Sequence, residues 1–440
     1  MESIWNDLEL PRFRPLSGDV KTDVLVIGGG MAGLLCAYAL RQSGIHCIVA
    51  EATRIGRGIT KNTTAKVTSQ HGLIYHSLIE KFGAEAAQLY LRANEDAVSS
   101  LRNLCRDADC DWQDRKNYVY SVSDRAALEK ELAALQSLHF PAEWEENLPL
   151  PFPTAGAVAF REQGQFHPLK FLKHICKDLI IYEETPVREL TEYCAITDYG
   201  RIFADSFLAA THFPFLNKHG SYFMKLYQQR SYVLALENAL APGGMYLAAE
   251  ENGLSFRQLG DCLLLGGGGH RTGKQGGGWQ ELEKKAKEFY PESKIIRRWA
   301  AQDCMTLDGI PYIGQYSKNT PNLFVATGFN KWGMTSSMVS ARILSDLVQQ
   351  KPNPYAEVFS PSRSMLHRQL GINLLESTKN ILTPTTPRCP HLGCALKWNK
   401  QEHSWDCPCH GSRFAENGEL IDNPATGNVK RLKSNTKKRK

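Results

Sequence analysis

The chain has 440 residues, a formal net charge of +6, 42% apolar residues and 22% charged residues. These values fit a soluble globular protein of two or three domains and exclude a disordered or low-complexity chain. Much of the positive charge lies in the final stretch VKRLKSNTKKRK, which reads as a solvated tail; nothing in the sequence supports a nucleic-acid or membrane role for it.

The opening MESIWNDLELPRF lacks the basic and apolar regions of a secretion signal. The longest apolar run, Val24–Leu40, is broken by three successive glycines. Both features predict a cytoplasmic protein without a membrane span. No internal repeat is visible.

The first element is a short apolar run, Thr22 to Ile27, with the composition of a buried parallel strand. Gly28, Gly30 and Gly33 follow as G-x-G-x-x-G and open a helix through Ser43; a second strand, Cys47 to Ala50, ends at Glu51. Three glycines alone carry little weight in a chain with 35 of them. Strand, glycines, helix, strand and acid within about thirty residues form a dinucleotide-binding unit. The glycines, with Met31 and Ala32, let a pyrophosphate approach the free N–H groups of the helix start. Glu51 is positioned to accept ribose hydroxyls. The Gly/Thr-rich loop Arg57–Lys66, with Gly58, Thr63 and Thr64, suits the remainder of such a cofactor.

The middle of the chain is less specific. Ser123–Leu138 predicts an amphipathic helix capped by Ser123, and Ile180–Ala210 several short strands. Tyr222–Leu236 and Leu254–Leu265 alternate as strands of a substrate-domain sheet. His71, Arg257 and His270 are the candidate catalytic residues, with Arg230, Tyr232 and Trp332 as further pocket candidates. Arg257 is expected to clamp a substrate carboxylate in two-pronged fashion. Packing or surface roles explain each of these residues equally well.

Downstream, NLFVATGFNKWGMTSS (Asn322–Ser337) repeats a strand, a glycine turn and a helix start, preceded by DGIPYIG (Asp308–Gly314). Together with the N-terminal unit, these segments resemble the D-amino-acid-oxidase-like FAD-dependent oxidoreductases, the glycine and sarcosine oxidase group. The resemblance implies FAD, with Gly328, Gly333, Met334 and Thr335 near the flavin ring and Val187 near the adenine.

A Pro-rich linker, Lys351–Pro361, and a helix, Met365–Asn380, then lead to CPHLGC (Cys389–Cys394) and CPCHGS (Cys407–Ser412). Two thiolates and two imidazoles hold a Rieske [2Fe–2S] centre. Cys389, His391, Cys407 and His410 supply that donor set, although the same four residues also suit a structural zinc site. The two knuckles resemble Rieske proteins of the disulfide-bearing type. That resemblance implies a Cys394–Cys409 bridge and a Ser412 hydroxyl bonded to the cluster. Phe414 stands where high-potential relatives carry Tyr, which implies a lower potential. Few residues precede Cys389 that could form strands, so most of the supporting sheet of a Rieske domain is expected to be missing.

The predicted fold is α/β. A discontinuous Rossmann-type FAD domain (1–75, 150–212, 300–350) interleaves with a mixed-sheet substrate domain (76–149, 213–299). A linker (351–380), a Rieske-like module (381–433) and a basic tail (434–440) follow. The resemblance implies oxidation of a small amine or amino acid by FAD, with one-electron exit through the cluster to an unknown acceptor. The alternatives are an oxidase using O2 with a zinc-bound or vestigial module, and a non-enzymatic flavin sensor.

Overall fold

The computed structural model describes residues 2–429 apart from 217, 218, 241 and 386; the tail expected at 434–440 lies outside them. Val20–Ile27 pairs in parallel with Cys47–Ala50 on one side and Gly200–Ala209 on the other. Leu323–Thr327 and Ile180–Tyr182 extend the parallel core. Val24 through Ile27 are all buried, which explains their unbroken apolar character: a sheet covered on both faces leaves no polar side. Helix Met31–Gln42 covers one face and packs on helix Gly333–Val348.

The second sheet has nine strands. Its path runs Lys294–Met305, Tyr227–Glu237, Cys262–Arg271, Ser255–Leu259, Met245–Ala248, Gln113–Ser121, Gly156–Gln165 and Lys66–Val67, with Glu143–Glu145 added beside Gly156–Gln165. Several expected boundaries shift accordingly. Gly156–Gln165 and all of Lys294–Met305 belong to this sheet, not to the nucleotide domain that was drawn from 150 and from 300. The predicted helix is found at Arg125–Ser137, and its cap is Asp124, whose carboxylate accepts from Ala127 N (2.9 Å), rather than Ser123. Tyr222–Lys225 is a helical turn before the strand begins at Tyr227. The linker does not lead away from the body: it carries helix Ala356–Phe359, and Val358 and Phe359 join the main core.

The C-terminal module is a four-stranded antiparallel meander, Lys397–Asn399, Ser404–Asp406, Arg413–Ala415 and Leu420–Asp422. Among the described residues between Leu382 and Lys397 there is no strand, only an isolated bridge between Arg388 and Ala395. The large sheet takes the place of the missing support. Arg271 donates to Pro408 O (3.1 Å) and Cys409 O (3.2 Å), Gln228 Nε2 to His410 O (3.0 Å), and Gln302 Nε2 to Gly411 O (2.9 Å). At Gly273 (φ +76°) a Cβ would stand 2.6 Å from Pro408 N, so the knuckle lies directly on backbone.

Candidate functional site

The glycine turn forms as its spacing requires. A Cβ on Gly33 would lie 1.8 Å from Gly28 O, so only glycine lets the helix start this close to the strand. Glu51 spans the turn and accepts from Gly29 N (2.7 Å) and Thr53 N (2.8 Å). Thr60, not singled out from sequence, accepts from Met31 N (3.0 Å) at the helix start. Gly30 caps that helix, and Ala32 is buried in its first turn. The remaining first-turn amides and the absent side chains fit a pyrophosphate at the helix N-terminus.

A cavity of about 420 Å³ opens between the two sheets. Thr63, Thr64, His71, Gly333 and Met334 line it, as do Tyr232 and Trp332. Gly328 precedes the lining segment that begins at Phe329. Thr335 Oγ1 supports the wall by donating to Thr68 O (3.3 Å). Gly58 is exposed at the start of the short helix Ile59–Asn62, and Val187 is half-buried on an edge strand; neither lines the cavity.

The three candidate catalytic residues have other positions than the chemistry expected of them requires. Arg257 is 1% exposed and does not line the cavity. Its guanidinium donates to Gln165 Oε1 (3.0 Å), Phe166 O (3.0 Å) and Thr64 O, so it has no prong left for a carboxylate. His270 lies between Tyr232 Oη and Arg271 O (2.9 Å each), outside the lining. Arg230 is turned away, onto Glu402.

His71 does reach the cavity, but both ring nitrogens are engaged. Nε2 donates to Thr68 O (2.9 Å), which leaves Nδ1 to accept from Tyr90 Oη (2.6 Å). Burial lowers its pKa to about 3, only partly offset by the Thr68 bond. It stays neutral and stacks on Trp332 at 4.7 Å; it is a rigid piece of wall and not a proton carrier.

Sequence reasoning missed most of the charged or polar groups that line the cavity, among them His212, Asp303, Glu250 and Lys66. His212 follows the carboxyl end of the parallel strand Gly200–Ala209, where open α/β sheets place their ligands; that position was the available signal. Its Nε2 is buried without a hydrogen-bond partner. Burial lowers its pKa, opposed by nearby Asp303 and Asp422.

The next residue, Phe213, is fully buried and stands 6.4 Å from the rings of both His391 and His410. Those two rings are 5.0 Å apart. His410 Nδ1 is buried without a partner, while its ring hydrogen-bonds the Phe223 backbone. Burial lowers His391 to about 4 and His410 to about 3, so both are neutral imidazoles ready to ligate.

The sulfurs of Cys394, Cys407 and Cys409 lie within 4.8 Å of one another, and Cys389 is within hydrogen-bonding reach of Cys407. Ser412 Oγ accepts from Ala425 N (3.0 Å) and donates to Cys389. Two thiols within reach of one another and two neutral imidazoles 5.0 Å apart suit a [2Fe–2S] centre of mixed ligation. Cys394 and Cys409 are both free thiols in this structure.

Two neighbouring strands separate cavity from cluster. In Tyr227–Glu237, Gln228 bonds the His410 loop while Gln229 lines the cavity. In Lys294–Met305, Gln302 bonds Gly411 while Asp303 lines the cavity. Alternation of side chains across a strand produces this two-faced wall.

Comparison with known proteins agrees with this geometry. The family model of FAD dependent oxidoreductases (DAO) matches residues 23–347, and that of the Rieske [2Fe-2S] domain matches 362–433. The chain is 34% identical to the putative Rieske 2Fe-2S iron-sulfur protein YhfW of Bacillus subtilis, over 497 aligned positions covering 98% of this chain and 97% of that protein. The alignment is longer than the 440-residue chain, so that relative has segments this chain lacks.

The cluster region alone is 54% identical over 37 residues to a cytochrome b6-f complex iron-sulfur subunit of Synechococcus, 8% of this chain and 22% of that one. Among solved structures, glycine oxidase from Geobacillus kaustophilus superposes with a TM-score of 0.66 at 19% identity, covering 78% of this chain and 99% of its own. L-proline dehydrogenase from P. horikoshii gives 0.66 at 16%, covering 79% and 98%. No helix among the described residues is long and apolar enough to cross a membrane. The chain belongs to the DAO family of FAD-dependent oxidoreductases and carries a C-terminal Rieske [2Fe–2S] domain.

Proposed function

We propose that the protein oxidises a small amine or amino acid in the cavity between its two sheets and releases the electrons singly through the cluster module. The observation that carries this reading is the adjacency of His212, in the cavity wall, and Phe213, against both cluster histidines. FAD, when bound, accepts the hydride, and the cluster takes one electron at a time.

The chain's residues bind and orient. Gly28–Gly33, Glu51 and Thr60 would hold the adenosine and pyrophosphate half; the segment Phe329–Met334 would face the ring. Glu250 and Asp303 offer carboxylates to a cationic amine, and half-buried Lys66 is an amine available to a substrate carboxylate. Glu250 is fixed by Ser121 Oγ (2.6 Å) and Val122 N (2.9 Å). The cavity volume falls in the usual range for small-molecule sites, roughly 300–1,000 Å³. Cys389, His391, Cys407 and His410 would ligate the cluster, and a Cys394–Cys409 disulfide would tie its two loops.

An ammonium substrate would first release one proton to solvent; loss of hydride, two electrons and one proton, from the donor carbon of the neutral amine then leaves an iminium ion. The cluster module would pass the two electrons on singly to an external acceptor. Anaerobic titration of the purified holoprotein with candidate amines and amino acids tests this, followed by visible and EPR spectra. Flavin bleaching followed by the signal of a reduced Rieske centre is the expected result. A preparation without iron and acid-labile sulfide, or a cluster that stays oxidised beside a reduced flavin, would overturn the relay.

A further inference from the structure

Helix Arg368–Leu382 has its amphipathicity inverted. Its polar side chains Asn373 and Asn380, 4% and 2% exposed, face the protein. There Asn373 Oδ1 accepts from Arg271 (2.9 Å), and Glu376 pairs with Lys274 (2.6 Å). The outward face carries Ile372, Leu374, Leu375, Ile381 and Leu382, with Leu375 and Leu382 each 74% exposed. Arg368 and Lys379 are exposed on the same helix, whereas its one acid, Glu376, is not.

No strand of the described chain returns to cover this face. Arg388 fastens the helix end to the first knuckle by donating to Ile381 O (3.1 Å), Thr383 O (2.7 Å) and Gly393 O (2.6 Å). The apolar face therefore runs up to exposed Leu392, beside the cluster histidine His391.

We propose that this face docks on an anionic lipid bilayer, with the helix lying in the headgroup interface. Apolar side chains flanked by cations, with no exposed acid, are the composition that partitions into such an interface. A second copy of the chain fits poorly, because a two-fold contact sets the patch against itself and, with the helices antiparallel, brings Arg368 of one copy toward Lys379 of the other with no exposed carboxylate on either helix.

The sequence supplies a second attachment. Residues 430–440 are rich in Lys and Arg and contain no acid, and they follow Val429, which packs in the core of the cluster module. Stable attachment takes two such signals, and each basic residue near an anionic leaflet adds to it.

The test is co-sedimentation of the full-length holoprotein with phosphatidylcholine vesicles, with and without phosphatidylglycerol. Binding is expected only when phosphatidylglycerol is present, and it should weaken as salt is raised. The double variant Leu375→Glu/Leu382→Glu should lower partitioning by about tenfold or more, with flavin and cluster absorption unchanged. Arg368→Glu/Lys379→Glu, which leaves the apolar residues in place, should also lower it and steeply reduce its salt dependence. Equal pelleting of wild type and variants would overturn the proposal. So would absence of binding to either vesicle, or a wild-type dimer that the leucine variant dissolves.

Discussion

Glu402 of the cluster module and Arg230 of the large sheet form a two-pronged ion pair across the seam between module and body, with side chains 8% and 3% exposed. Arg413 reaches the same carboxylate (2.8 Å) and continues to Asp406 (3.0 Å) and Asp422 (3.1 Å). Tyr232 Oη also donates to Glu402 (3.0 Å). Removing one member of such a buried set leaves a desolvated charge unpaired. Glu402→Gln should therefore destabilise the seat of the module by about 3 kcal/mol. Thermal melts followed at cluster and flavin absorption bands should show the cluster transition moving down ahead of the flavin transition.

Phe213→Ala should slow cluster reduction by roughly tenfold or more, because it removes the side chain packed on His391 and His410, the two proposed imidazole ligands. Flavin reduction by substrate should keep its rate, and Phe213→Trp should restore much of the hand-off. Stopped-flow recording at flavin and cluster wavelengths separates the two phases.

The Ser412 hydroxyl is held by Ala425 N so that its proton points to Cys389. A hydrogen bond to an anionic centre is worth about 1.5 kcal/mol, which for one electron corresponds to about 60 mV. Ser412→Ala should lower the cluster potential by that order. Phe414 is fully buried in the strand that follows Ser412, and Phe414→Tyr should raise the potential if its hydroxyl reaches a ligand sulfur. Redox titration monitored by EPR measures both.

Lys66 carries the pH dependence of the cavity. Burial, with Arg257 nearby, lowers its pKa from 10.5 to about 7, while its Nζ donates to Tyr246 O (2.8 Å). Between about pH 7 and 10.5 the unfolded chain holds this proton more firmly than the folded one, so stability rises with pH across that window. Lys66→Met should flatten that rise and stabilise the protein below pH 7, where the buried charge is costly. Urea midpoints measured from pH 6 to about 10 provide the check.

Gly33→Ala should abolish FAD retention and cost about 3 kcal/mol, because helix and strand would have to separate around the new methyl. Bound flavin after gel filtration and the urea midpoint report the two effects.

These features differ in how far they could be read from the sequence. The glycine turn and the cluster knuckles were legible because each is local: spacing along a few residues fixes which backbone groups and donors converge. The direction of Arg257 was not. Its strand was expected, but only pairing across the sheet decides which face a strand residue occupies, and Arg257 faces Gln165 and the Thr64 carbonyl. The seat of the module was illegible for the same reason, since Arg230 and Glu402 are 172 residues apart. His212 was not singled out, because only the elements packed around it show that it faces the cavity. The absence of support strands ahead of Cys389 was legible; that a sheet already present would substitute for them was not.

The paired strands that carry Gln228–Gln229 and Gln302–Asp303 have a constraint written into their lengths. At these four positions a residue facing one chamber is followed by one facing the other, so a one-residue slip there would exchange the two linings. An acid would then press on the iron–sulfur loop while the amide that steadied it faced the substrate. Divergence can tune either chamber by substitution, whereas a single residue gained or lost here would need a bulge to absorb it, as the register shift between Arg230 and Tyr232 already does further along the strand.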